Sequence, residues 1–99
     1  MNYDNRKKLV ARICSRLEKL LEQEKNPERT MQYLLSLLQE AQITTDLPTD
    51  SVLGFSVNLE AAILDSNPDL VHLPDKRLQE FEDPEDLILA LIPGNVDQE

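Results

Sequence analysis

The strongest constraint on the fold of this chain is a pair of apolar patterns with helical period, separated by one short proline-containing break. Residues 6–24 repeat apolar side chains at helical spacing, which indicates an amphipathic helix. The main members of this stripe are Leu9, Ile13, Leu17 and Leu20. In the break, KNPER, Asn26 suits the N-cap position and Pro27 suits the first helical position. A second helix is therefore predicted over residues 27–42.

The second predicted helix has an apolar face that covers roughly 200° of its circumference. Its larger members are Met31, Leu34, Leu37 and Leu38. Because the break before this helix is short, the two helices are expected to fold back on each other as an antiparallel hairpin. A face this wide needs more than one neighbour, so the second helix is expected to be the central packing element.

The middle of the chain is harder to assign. Residues 43–56 begin with polar and turn-forming side chains, which indicates a linker. Residues 53–59 alternate apolar and polar side chains as a strand does. The same region also fits a helix through Val52, Phe55, Leu59 and Ile63. Since the Glu-Ala-Ala sequence that follows favours a helix, we predict one over residues 57–64 with Ser56 as its N-cap.

Two more short helices are predicted in the C-terminal part. The first runs over residues 74–81. The second begins in the sequence EDPED, where Asp83 is the expected N-cap and Pro84 the first helical residue, and it extends to residue 92. Residues 93–99 are expected to form a frayed tail. The predicted fold is all-α, a single domain over residues 1–99, with an N-terminal antiparallel helical hairpin and two or three shorter C-terminal helices packed on it.

Composition limits the class of protein. A length of 99 residues fits one domain. The single cysteine, Cys14, cannot form an internal disulfide, which favours a reducing compartment. The sequence contains no apolar run near the ~20 residues that a membrane-spanning helix needs. Its first residues also lack the apolar region of a signal peptide. We therefore expect a cytoplasmic protein without a membrane partner.

Charge is distributed unevenly along the sequence. The net charge is −9. Residues 1–30 carry eight basic and five acidic side chains, whereas the rest carries two basic and fourteen acidic ones. Such asymmetry either marks a binding surface or makes the two parts attract each other within one fold.

The stretch DSNPDLVHLPDK, residues 65–76, resembles the start of a calcium-binding loop because Asp65, Asn67 and Asp69 hold oxygens at alternate positions. A helix–loop–helix calcium site also needs glycine at its sixth position and glutamate at its twelfth. Those positions hold Leu70 and Lys76. A lysine there places a cation where the metal needs an anion, so no metal site is predicted.

No other cofactor site and no catalytic group are predicted. Cys14 lies on the apolar stripe, where cysteine usually acts as a small hydrophobic residue. The only histidine, His72, would have to serve as its base. The chain has only two glycines and no phosphate-binding loop. The sequence therefore predicts a protein that is not an enzyme.

The leading functional hypothesis is a small regulatory module that binds another protein, or a second copy of itself, through the apolar face of its helical hairpin. The leucine content of the hairpin is large for the short elements that follow it, which favours an interface and a homodimer. The predicted interaction face consists of Leu9, Ile13, Leu17, Met31, Leu34, Leu37 and Leu38.

Two alternatives use charge instead of apolar surface. A basic stripe on the first helix, formed by Lys8, Arg12, Arg16 and Lys19, has the side chains that contact phosphates in a nucleic-acid-binding regulator. The net charge of −9 repels a polyanion at long range, which counts against this hypothesis. The other alternative is an acidic decoy whose C-terminal part imitates nucleic acid.

Overall fold

A computed structural model of the protein describes residues 3–44, 46–66 and 73–92. Within these ranges the chain forms five α-helices and no strand, so the predicted all-α class is confirmed. In chain order the helices are α1 (Tyr3–Glu22), α2 (Pro27–Glu40), α3 (Val52–Ser66), α4 (Asp75–Glu80) and α5 (Pro84–Leu91). The predicted tail over residues 93–99 lies outside the described residues.

Local capping explains why α2 and α5 begin where they were predicted to begin. The side-chain oxygen of Asn26 accepts a hydrogen bond from the backbone N–H of Arg29 at 3.3 Å. The carboxylate of Asp83 accepts one from the N–H of Glu85 at 2.9 Å. In each case a proline follows the cap, where its missing N–H removes no hydrogen bond.

The end of α2 is set by Gln42. This residue has φ of 60°, the left-handed conformation that commonly ends a helix. The N–H of Ile43 then turns back and donates to the carbonyl of Leu38 at 3.0 Å. As a result α2 ends at Glu40 instead of reaching residue 42.

The third helix differs most from its prediction. It begins at Val52, so the helix predicted over residues 57–64 was too short and the linker predicted over residues 43–56 was too long. Ser51 is the residue that caps it, because its Oγ accepts from the N–H of Gly54 at 3.0 Å. Ser56, the predicted N-cap, is instead buried inside the helix and donates to the carbonyl of Cys14 at 3.1 Å. The strand alternative is wrong for this segment.

Packing centres on α1, so the prediction that the second helix would be central is wrong. Helix α1 contacts each of the other four described helices, and its largest contact is with α3. The reason is the length and composition of α3, which spans 15 residues and is apolar over most of its surface. Helix α2 does contact α1, but the contact is smaller than that between α1 and α3.

One hydrophobic core joins all five helices. Helix α2 contributes Met31, Leu34 and Leu38, and α3 contributes Phe55, Leu59 and Ile63. Leu78 of α4 and three residues of α5, Leu87, Ile88 and Leu91, close the core from the C-terminal side. Helix α3, together with the short helices α4 and α5, therefore covers the apolar faces of α1 and α2. Among the described helices, none combines the length and the apolar composition needed to cross a membrane.

Candidate functional site

The predicted interaction face lies mainly inside the protein. Six of its seven residues have exposed fractions of 2% or less, and Leu37 is half-buried. The six buried residues are Leu9, Ile13, Leu17, Met31, Leu34 and Leu38. They pack in the core with α3 and α5 and offer no surface to a partner in this fold.

The basic stripe of α1 is partly engaged within the protein. Arg12 forms an ion pair with Asp75, with 2.6 Å between its Nη1 and the carboxylate Oδ1. Arg16 donates to the carbonyls of Phe81 and Gln79, at the end of α4. Lys8 and Lys19, the other two predicted phosphate contacts, are exposed. The basic and acidic parts of the sequence thus attract each other within one molecule, through the Arg12–Asp75 ion pair.

Arg6 has a similar role at the end of α3. Its guanidinium donates to the carbonyl of Ile63 at 2.8 Å and to that of Leu64 at 3.3 Å. The last carbonyls of a helix have no partner within it, and a cation there also favours the helix dipole. The Nε atoms of Arg6 and Arg16 are buried without a hydrogen-bond partner, so packing removes both guanidinium groups partly from water. Both arginines are therefore poorly placed to contact a polyanion.

An open groove of about 440 Å³ lies between α1 and α4. Its lining includes Arg12, Ser15, Lys19, Asp75 and Gln79. The carboxylate of Asp75 neutralises Arg12 across the groove, which leaves Lys19 as its exposed cation without an ion pair among the described residues. The groove could make a weak contact with an anion, but its lining contains no nucleophile paired with a base.

Cys14 does not have the properties of a reactive thiol. Its side chain is 1% exposed. Burial and, as a smaller cause, the nearby carboxylate of Glu60 together raise the pKa of Cys14 to about 12. A thiol with such a pKa is protonated at neutral pH, and the thiol is a far weaker nucleophile than the thiolate.

No group of three or more His, Cys, Asp or Glu side chains in the described part of the chain could hold a metal ion. Half of the calcium-like loop, residues 67–72 with Leu70 and His72, lies outside that part. The prediction of no metal site there stays a prediction.

The outer side of α3 carries an exposed apolar row, which we call the α3 outer stripe: Leu53, Val57 and Ala61. Leu53 is 61% exposed and Val57 is 56% exposed. Ala61, one turn further on, is also exposed. At about 100° per residue, this row lies on the opposite side of the helix from the core residues Phe55, Leu59 and Ile63. Helix α3 is therefore apolar on two sides, and only one of them faces the core.

The α3 outer stripe lies in the acidic part of the sequence. From Thr30 to Asp75 the chain has no lysine or arginine. Over the same range it has seven acidic residues, which are Glu40, Asp46, Asp50, Glu60, Asp65, Asp69 and Asp75. Glu60 is close to the stripe, because it is seven positions after Leu53 and so lies about 20° from it around the helix.

The sequence contained a signal for this surface. Strand-like alternation over residues 53–59 arose because Leu53 and Val57 are apolar on the outer side while Phe55 and Leu59 are apolar on the inner side. A helix whose two opposite sides are apolar gives this pattern. The alternation that favoured a strand was thus produced by a second apolar side of the helix.

No family model, no curated protein and no solved structure matches this chain.

Proposed function

We propose that this protein is a non-enzymatic interaction module that binds another protein through the α3 outer stripe. The observation that carries the proposal is the exposure of Leu53 and Val57 on successive turns of one helix. With Tyr33, they are the large apolar side chains that the described residues leave exposed. The proposal keeps the function expected from the sequence but moves its site from the hairpin to α3.

The energetic reason is the contrast between the two sides of α3. The inner side is fully buried, with Phe55, Leu59 and Ile63 each at 0% exposure. Apolar surface left in water costs about 25 cal/mol per Å² relative to burial. Single exposed apolar residues are common, but a row of them along one helix has the form of a helix-docking surface. Tyr33 does not extend this row, because it belongs to α2 and bonds to Glu85 of α5.

Site-specific photo-crosslinking in the native cell tests the proposal. A benzophenone amino acid is placed at Leu53 or Val57, and at the exposed polar positions Gln32 and Ser36 of α2 as matched controls. We expect a discrete protein adduct from the two α3 positions only. The adduct from position 57 should be lost when Leu53 is changed to Ser, while the circular dichroism spectrum stays that of the folded protein.

The purified adduct partner is then titrated against wild-type protein and against L53S/V57S. Tighter binding by the wild type supports the proposal. Equal adducts from all four positions, or equal affinity of the two proteins for the partner, would refute it.

A further inference from the structure

We infer that the partner segment at the α3 outer stripe is an amphipathic helix with Lys or Arg beside its apolar side, and not a second copy of this chain. This inference rests on the proposed function, since it names the chemistry of the partner at the same surface. Its grounds are the shape of the stripe, the charge around it and the position of the protein's own cations.

The shape of the stripe fits a helix. Leu53, Val57 and Ala61 follow one another at intervals of four residues, so they form a straight row about 12 Å long. Rows at this interval are the ridges that pack into the groove of a second helix. Peptide helices that bind such surfaces place their anchors three, four and seven residues apart.

The charge around the stripe favours a basic partner. Helix α3 carries Glu60 and Asp65 and no cation. The segments on both sides of it contain no lysine or arginine between Thr30 and Asp75. Charges at the rim of an interface select partners of opposite sign and raise their association rate. A partner helix with lysines beside its apolar side would meet Glu60 along the stripe and Asp65 at its end.

The same charges oppose a dimer formed through α3. Two copies that pair through this stripe would bring together two acidic α3 helices from two chains of net charge −9. Helix α3 supplies no cation to relieve this repulsion, and Arg6, which reaches the end of α3, is bonded to the carbonyls there.

Synthetic peptides of about 18 residues, long enough to form a helix on binding, serve as the probes. Three peptides share the same leucine row and differ in the flanking residues, which are lysine, glutamine or glutamate. Binding of each fluorescent peptide to the full chain is followed by anisotropy at low and at physiological salt. Amide NMR shifts locate the binding surface.

We expect the lysine peptide to bind with micromolar affinity and the glutamate peptide about tenfold or more weaker, with the difference decreasing at higher salt. NMR shifts should concentrate on α3. The variant L53S/V57S should bind all three peptides about tenfold or more weakly than the wild type does, because the leucine row of each peptide loses its apolar partner. The variant E60Q/D65N should lower the affinity for the lysine peptide about threefold to tenfold and leave the affinity for the glutamine peptide unchanged.

The matched control for charge is E22Q/E28Q, which removes two exposed carboxylates outside α3. If it weakens the lysine peptide as much as E60Q/D65N does, the attraction is non-specific and the inference fails. If all three peptides bind α3 equally well, the proposed function stands and the inference about charge is overturned.

Sedimentation equilibrium of the full chain decides between a partner and a second copy. We expect a monomer of 11.3 kDa at micromolar concentration. A dimer that L53S/V57S dissociates would overturn the inference while keeping α3 as an interaction surface. Absence of peptide binding would refute the inference, and the crosslinking experiment then decides independently whether the proposed function fails as well.

Discussion

Burial in the core changes the pKa of a single side chain, Cys14. It lies on α1 under α3, and burial together with the carboxylate of Glu60 holds its pKa near 12. The unfolded chain has the ordinary pKa of 9.0, so the folded protein binds the proton more tightly. The stability from this group is present below pH 9.0 and is lost as the pH rises toward about 12.

Urea unfolding between pH 8 and pH 11 measures this effect. From the unfolded pKa of 9.0 upward, Cys14 should lower the free energy of unfolding by up to about 1.4 kcal/mol per pH unit. The variant C14A should lose this component. The component from Tyr33, whose pKa is raised by its hydrogen bond to Glu85, should remain in both proteins. Equal slopes for wild type and C14A would show that Cys14 does not titrate as its burial requires.

Gly54 gives a second prediction for a single residue. It lies in the first turn of α3, and an added Cβ would meet Pro48 and Ser51 at 3.5 Å, an ordinary contact distance. Since glycine in a helix is about 1 kcal/mol less favourable than alanine, G54A should stabilise the protein by roughly 0.5–1 kcal/mol. Thermal and urea unfolding check this. A loss of stability would mean that the start of α3 needs a conformation that alanine cannot adopt.

Among the elements, α4 depends most on side chains from α1. It has only six residues, too few for a helix to be stable alone. Arg16 holds its end by donating to the carbonyls of Phe81 and Gln79. Replacing Arg16 by Met keeps much of the apolar stem and removes both hydrogen bonds. The part-buried bond to Phe81 has a charged donor and contributes about 1.5–3 kcal/mol, whereas the exposed bond to Gln79, at 3.4 Å, contributes little.

We therefore expect R16M to lower the free energy of unfolding by about 2 kcal/mol and to speed amide exchange in α4. The control K8M changes an exposed cation of the same helix and should stay within about 0.5 kcal/mol of the wild type. If the two variants behave alike, the contacts of Arg16 do not hold α4 in place.

Helix starts were predictable from the sequence where the signals are local. Asn26 and Asp83 cap their own helices, so a few adjacent residues contain all the information needed. The start of α3 was missed, although Ser51 is also a local cap, because Gly54 and the alternating apolar residues obscured it. The central position of α1 could not be predicted, since it depends on which helices compete for its apolar face.

The candidate site was less predictable than the helices. Arg6 and Arg16 reach backbone carbonyls 57 to 65 residues away along the chain, and no spacing rule brings such pairs together. The leucines of the hairpin were correctly recognised as strongly apolar, but the pattern could not show that α3 and α5 would cover them. The sequence shows that Leu53 and Val57 are apolar but not that they are exposed, because their exposure depends on which side of α3 packs against α1.

Over the whole chain, the charge distribution favours the proposed function over nucleic-acid binding. The basic stripe would need Lys8, Arg12, Arg16 and Lys19 together at a phosphate backbone. Two of these are engaged, Arg12 with Asp75 and Arg16 with the carbonyls after α4. The remaining pair, Lys8 and Lys19, belongs to a chain of net charge −9, which repels a polyanion at long range.

We therefore expect no saturable complex with duplex DNA or single-stranded RNA at about 0.15 M salt, measured by anisotropy with the protein at up to about 100 μM. At low salt, any weak binding through the basic stripe should fall with a slope of log affinity against log salt of no more than about 2, because Lys8 and Lys19 are the two cations of that stripe that are not engaged within the protein. K8Q/K19Q should abolish that weak binding and leave α3-dependent peptide binding unchanged. A sub-micromolar complex with a slope near 4 would mean that Arg12 and Arg16 leave their partners to bind phosphates, and the basic stripe would then replace α3 as the functional surface.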